Sequence, residues 1–170
     1  MRTPRDATRH ATATIDTPVG RLHVLATSEG LSALLWPDLD AELERIRVSP
    51  EQLDDRRPAM AGDVERQLEQ YFAGARTEFD LPLDPHGTDF QLTVWAALRE
   101  IPFGLTSSYG QQARAINRPR AIRAVAAANG RNPISIIVPC HRVIGADGSL
   151  TGFAGGLDTK AWLLEHERRR

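Results

Sequence analysis

The chain has 170 residues, 41% of them hydrophobic, which is enough to bury the core of one domain or two small ones and argues against disorder. Its 21 Lys+Arg stand against 22 Asp+Glu, a net charge of −1 that by itself predicts no affinity for nucleic acid. The single cysteine, Cys140, excludes an internal disulfide and a multi-cysteine metal site, and no run is long and uncharged enough to cross a bilayer. The opening MRTPRDATRHATA lacks the apolar stretch of a signal peptide, so a cytoplasmic protein is expected.

Within residues 13–36, ATIDT, RLHVLAT and LSALLW are short alternating or apolar runs separated by Pro18-Val19-Gly20 and Ser28-Glu29-Gly30, which predicts a strand meander. A short helix follows from Asp38 to about Val48. A longer one runs from Pro58 to Phe72, with Met60, Val64, Leu68 and Tyr71 or Phe72 at helical spacing and Gly74 just past its end. The breakers in FDLPLDPHG mark a boundary, giving an α+β domain over 1–85 and a second domain over 86–170.

The second domain reads as mainly helical. Thr88 is a fitting N-cap for a helix whose face carries Phe90, Val94, Leu98 and Ile101, stopped by Pro102 and Gly104. Ser108 caps a second helix through about Ile116, Asn117-Arg118-Pro119 breaks it, and a third runs from about Arg120 to Asn129 with Gly130 as terminator. Two short helices joined by a tight turn have the outline of a helix-turn-helix. The apolar run Ile134 to Val138 predicts a buried strand or extended segment delivering Pro139-Cys140-His141-Arg142. A glycine-rich loop, GADGSLTGFAGGL, and a helix from Asp158 to Glu167 with Trp162 and Leu163 as core candidates complete the chain before Arg168-Arg169-Arg170.

Charge is divided unevenly between the halves. Residues 1–85 hold 10 Lys+Arg against 16 Asp+Glu, leaving −6, and residues 86–170 hold 11 against 6, leaving +5. Between Glu100 and Asp147 no acidic residue occurs, whereas Arg114, Arg118, Arg120, Arg123, Arg131 and Arg142 all do. A one-sign segment of this kind is the footprint of a polyanion partner, or a solvated basic face.

Cys140 is either inert packing or a nucleophile. A thiol attacks only as the thiolate and so needs a base or a positive charge nearby, and His141 and Arg142 follow it directly. Chain neighbours on a strand or helix do not face one another, so a water or a sharp turn would have to link Cys140 to His141.

The segment Asn132-Pro133-Ile134-Ser135-Ile136-Ile137-Val138-Pro139-Cys140-His141-Arg142-Val143 closely resembles the active-site segment of O6-alkylguanine-DNA alkyltransferases. SYGQQARAI, RPRAIRAVAAANGRNP and GSLTGFAGGLDTKAWLLEHE also resemble family segments at matching distances, so the likeness is strong from about Thr88 to Glu167. Over residues 1–85 it is one of layout, a strand-and-helix domain of ribonuclease-H-like type before a helical domain with a winged helix-turn-helix.

The resemblance implies that Cys140 accepts the alkyl group, His141 is its water-mediated base, and Glu167 orients and charges the histidine. Asn132 would tie the cysteine segment to the helix-turn-helix, and Tyr109 would supply a proton as the purine leaves. Arg123 would enter the duplex in place of the extruded base, with Arg118, Arg120, Arg142, Ser108 and Lys160 as further DNA contacts. Tyr109, Val143, Phe153, Ala154 and Gly155 would line the substrate pocket. Phe153 and Ala154 depart from the tyrosine and serine of many relatives, which leaves pocket polarity and alkyl-size tolerance open.

No cofactor and no metal is implied, because the N-terminal domain has no cysteine for the zinc site of some members. The expected partner is double-stranded DNA containing O6-alkylguanine, bound through its minor groove by a monomer in a single-turnover reaction. O4-alkylthymine as a second substrate and cooperative binding on DNA stay open. The competing classes are a cysteine hydrolase or acyltransferase, which would need an oxyanion hole, and a lesion-binding protein without repair, which the cysteine argues against.

Overall fold

The computed structural model describes residues 8–169. The first seven residues of the opening segment, and Arg170 at the end of the basic tail, lie outside the described residues. The chain divides into two compact units, Met1–Pro85 and His86–Arg170.

In the first unit β1 (His10–Thr17), β2 (Gly20–Ala26) and β3 (Leu31–Leu35) form an antiparallel meander, with Ile15 opposite Leu22 and Val24 opposite Leu34. All five residues of β3 are buried, which is why LSALL reads as a continuous apolar run and not as an alternation. α1 (Leu39–Ile46) is capped by Asp38, whose side chain accepts from the Ala41 N–H. The two-residue β4 (Leu53–Asp54), too short to show a sequence pattern, joins β1 in parallel and gives the sheet order β3-β2-β1-β4. α2 (Ala61–Phe72) buries Val64, Leu68 and Tyr71. The unit closes where Leu31 N–H donates to Pro82 O at 2.9 Å and Asp84 N–H to Leu31 O at 2.7 Å.

In the second unit α3 (Asp89–Leu98) starts from a capping box: Thr88 Oγ1 accepts from Gln91 N–H at 3.1 Å, and Gln91 Oε1 accepts from Thr88 N–H at 3.0 Å. Val94, Trp95 and Leu98 are buried, Phe90 is partly so, and Ile101 falls beyond the helix. The Trp95 indole donates to Ala128 O at 2.8 Å. α4 (Tyr109–Ala115) opens with the same device at Ser108 and Gln111. It ends at left-handed Asn117 (φ 59°), where Arg118 N–H donates to Ala113 O at 2.9 Å and Asn117 N–H to Arg114 O at 3.0 Å, so the last carbonyls are satisfied.

α5 (Ile122–Gly130) begins two residues later than expected, and Gly130 lies inside its last turn. A reciprocal amide pair locks α4 to α5: Gln112 Nε2 donates to Asn129 Oδ1 at 3.1 Å, and Asn129 Nδ2 to Gln112 Oε1 at 2.8 Å, both side chains buried. On its outer side α5 exposes Arg123 with Ala124, Ala126 and Ala127.

β5 (Ser107–Ser108) pairs in parallel with β6 (Val143–Ile144), which fastens the start of α4 beside the chain leaving Cys140. α6 (Leu157–Arg168) buries Lys160, Leu163, Leu164 and Glu167. Trp162, expected in the core, is instead 40% exposed and stacks on His166 with ring centroids 5.1 Å apart. Among the described residues no helix is long and apolar enough to cross a membrane.

Replacing Asn129 by Ala removes the donor to the buried Gln112 Oε1 and is expected to destabilise the second unit by about 1–3 kcal/mol, read from the urea unfolding midpoint.

Candidate active site

The segment before Cys140 is a tight turn and not the strand its apolar run suggests. Asn132, 1% exposed, sets its shape: its side-chain oxygen accepts from Ile134 N–H at 3.0 Å and its amide donates to Val138 O at 2.8 Å. These bonds take backbone groups that a strand ladder would use. Ile136 adopts φ 71°, a left-handed conformation unfavourable for a β-branched residue and held here by complete burial on all sides of the turn. Cys140 then opens a single 3₁₀ turn, Cys140–Arg142, and is itself 9% exposed and without a disulfide.

The same turn sends His141 and Arg142 inward to one carboxylate. His141 Nε2 donates to Glu167 Oε2 at 2.8 Å, and Arg142 Nε donates to Glu167 Oε1 at 2.6 Å. Arg142 Nη1 also donates to Ile101 O at 2.7 Å, and its guanidinium lies over the Phe103 ring at 5.7 Å. His141 is 0% and Glu167 1% exposed.

Burial pushes the His141 imidazole below its ordinary value, against the hydrogen bond and charge of Glu167, so the ring is neutral at rest. With Nε2 donating, Nδ1 carries the lone pair, and it is buried without a hydrogen-bond partner. Burial alone would raise Glu167, but the hydrogen bonds and charges of His141 and Arg142 outweigh it and hold the carboxyl down at about 2. The site thus offers a fixed carboxylate, a neutral histidine with one open acceptor, and a thiol next to it in sequence.

Lys160 lies 1% exposed on α6, its ammonium donating to Val143 O at 2.7 Å and Thr151 O at 2.8 Å. Burial pushes this amine down from its ordinary value, while the charge of Cys140 pulls the other way. The Thr151 hydroxyl is 2.9 Å from the Tyr109 phenol oxygen.

Residues 89–169 match the model of the 6-O-methylguanine DNA methyltransferase DNA binding domain, and residues 11–85 that of the same family's ribonuclease-like domain. The methylated-DNA–protein-cysteine methyltransferase of Mycolicibacterium paratuberculosis is 50% identical over 92% of this chain and 91% of its own length. That of Methanosarcina barkeri is 47% identical over 90% of this chain and 94% of its own. The chain belongs to the 6-O-methylguanine DNA methyltransferase family. A crystal structure of Mycobacterium tuberculosis OGT in complex with DNA superposes with a TM-score of 0.82 at 46% identity, covering 94% of this chain and 93% of that one.

Within this family member the contacts above join His141 to Glu167 and shape the turn that leads from Asn132 to Cys140, and the start of α4 brings Tyr109 to the glycine-rich loop at Thr151. Two expected DNA contacts are corrected. Arg142 and Lys160 are buried and bonded within the protein, the first to Glu167 and Ile101 and the second to the carbonyls of Val143 and Thr151, so neither presents its charge to a phosphate backbone. Val143 is fully buried, and Phe153, Ala154 and Gly155 occupy the loop between β6 and α6, with Ala154 exposed. Arg118, Arg120 and Arg123 are exposed, and Ser108 spends its oxygen on capping α4. Sequence reasoning missed Thr151, whose partner lies 42 residues away; a lone threonine among glycines gives no periodic signal.

The acid response of stability follows from the two shifts. Glu167 is depressed on folding, so its contribution is present above about 4.5 and fades as pH falls toward about 2. His141 is depressed from 6.5, so its contribution too is lost as pH falls below about that value. Unfolding midpoints are therefore expected to decline continuously on acidification from neutrality, and Glu167→Gln to show a lower midpoint at pH 7 with a shallower acid slope.

Proposed function

We propose that this protein repairs alkylated DNA by moving the alkyl group from O6 of guanine in duplex DNA onto Sγ of its own Cys140, once per molecule. The observation that carries this reading is the buried His141–Glu167 pair, whose remaining acceptor, Nδ1, is open to take the cysteine proton through a water. Relatives at about half identity over nine-tenths of the chain are named methylated-DNA–protein-cysteine methyltransferases, which supports the same chemistry here.

The steps follow from the groups. A water relays the thiol proton to His141, and Glu167 stabilises the imidazolium that results. Sulfur bonds to the alkyl carbon as the carbon–O6 bond breaks, and the electron pair leaves with the purine. Tyr109 gives the purine a proton, a contribution of roughly 10²–10⁴-fold for such a donor. The product thioether has no hydrolysable linkage, so no second turnover follows. Asn132 holds the nucleophile's segment, and Val143, Phe153, Ala154 and Gly155 border the place for the base.

The target atom lies inside the duplex, so the nucleotide must be extruded at a cost of about a few kcal/mol. Arg123 on the exposed side of α5 fills the gap left in the stack. The alanines around it let the helix approach the minor groove, while Arg118, Arg120 and the Ser108 hydroxyl proton meet phosphates. Binding through phosphates is indifferent to sequence and weakens with salt. A reactive thiol also needs a reducing compartment, which supports action in the cytoplasm.

Intact-protein mass after incubation with O6-methylguanine duplex is expected to rise by one methyl and no further, with none taken up by Cys140→Ala. Repeated turnover of an ester substrate without a mass change would instead support a cysteine hydrolase. Arg123→Ala is expected to slow transfer from duplex DNA by about tenfold or more, and to leave transfer from a single-stranded oligonucleotide nearly unchanged, because no stack has to be refilled there.

A further inference from the structure

The loop between β6 and α6 carries Gly145, Gly148, Gly152, Gly155 and Gly156, of which Gly148 and Gly156 are left-handed at φ 84° and 90°. A side-chain carbon added at Gly148, Gly152 or Gly156 would meet nothing within 4 Å, so no packing holds the chain at those points. Such a loop is costly to order unless something pins it. Thr151, at its centre, is pinned twice. Its carbonyl accepts from the buried Lys160 ammonium at 2.8 Å, and its hydroxyl is 2.9 Å from the Tyr109 phenol oxygen. The same ammonium holds Val143 O at 2.7 Å, three residues beyond Cys140. One buried cation and one threonine thereby connect the nucleophile's segment, the loop and the first residue of α4.

We infer that Thr151 is a positioning residue for alkyl transfer, aiming the Tyr109 phenol at the departing purine, and that Lys160 fixes Thr151 in turn. This rests on the alkyl-transfer reading above and adds a residue to it. As sulfur bonds to the alkyl carbon, the carbon–O6 pair goes to the purine and the Tyr109 proton follows it. The phenolate oxygen left behind accepts a hydrogen bond from the Thr151 hydroxyl. Solvent then reprotonates the phenolate and removes the proton that His141 took from the thiol. A hydroxyl that donates to the phenol oxygen also turns the phenol's own proton away from Thr151 and toward the substrate. Lys160, buried on helix α6 at 1% exposure, serves here through position and not through contact with DNA.

The test compares single-turnover transfer from O6-methylguanine duplex by wild type, Thr151→Val, Thr151→Ser and Tyr109→Phe. Valine keeps the shape and the carbonyl held by Lys160 and removes only the hydroxyl. Thr151→Val is expected to be about tenfold slower, the worth of one hydrogen bond to a developing charge, and Thr151→Ser close to wild type. In the Tyr109→Phe background Thr151→Val should cost nothing more. Alkylation of Cys140 by iodoacetamide, whose iodide leaves without a proton, should be unchanged in every variant. Wild-type transfer rates in Thr151→Val, equal slowing in Thr151→Ser, additivity with Tyr109→Phe, or a parallel loss of iodoacetamide reactivity would each overturn the inference while leaving the alkyl-transfer reading in place. Absence of methylated Cys140 in the wild type would overturn both.

Discussion

The carboxylate of Glu167 is the constraint on which the site depends. It sits 1% exposed in the last turn of α6 and gathers two side chains 25 and 26 residues away in sequence, Arg142 at 2.6 Å and His141 at 2.8 Å. Burying a carboxylate costs several kcal/mol, and a single partner rarely offsets that. Here the guanidinium supplies charge and parallel hydrogen bonds, and the imidazole supplies a further donor. The guanidinium in turn is held by Ile101 O and the face of Phe103. Every group in the cluster is therefore satisfied except His141 Nδ1, and that exception is the atom to which the proposed reaction gives the cysteine proton.

This arrangement also explains how the positive charge of the second unit is divided. Arg118, Arg120 and Arg123 stand outside on the α4–α5 turn and on α5, where a polyanion can meet them. Arg142 and Lys160 are inside, one neutralising Glu167 and the other tying the carbonyl of Val143 in β6 to that of Thr151 in the loop. The outer set suits binding that varies with salt and not with sequence, and the inner set holds geometry. A protein that spends its nucleophile in one reaction has no turnover rate to optimise. What it needs is a thiol held ready over the lifetime of the molecule, and a buried, hydrogen-bonded support provides that.

How much of this was legible in the sequence depends on the range of the interaction. Local signals read well: the capping residues Thr88 and Ser108, the break at Asn117 and the meander of β1 to β3 all lie in short windows where turn chemistry and periodicity act. Apolar runs read less well. The segment Ile134 to Val138 suggested a strand because burial alone makes it apolar, whereas the side chain of Asn132 captures its backbone groups and bends it. Trp162 was expected inside on hydrophobicity, but its place on α6 turns it outward against His166. The family resemblance points the charges of Arg142 and Lys160 toward DNA, because likeness in sequence shows charge without showing burial. Their partners, Glu167 and the carbonyls of Ile101, Val143 and Thr151, lie between 9 and 41 residues away. The roles proposed for Cys140, His141 and Glu167 come from resemblance, since spacing alone leaves Cys140 balanced between packing and reactivity.

Nitrogen-15 NMR of the His141 ring tests most directly whether the buried carboxylate presents a neutral base to the cysteine. At neutral pH the account predicts a protonated Nε2 and an unprotonated Nδ1, with the signals moving toward imidazolium only below the ordinary histidine value. An imidazolium at neutral pH, or the opposite tautomer with the proton on Nδ1, would contradict it.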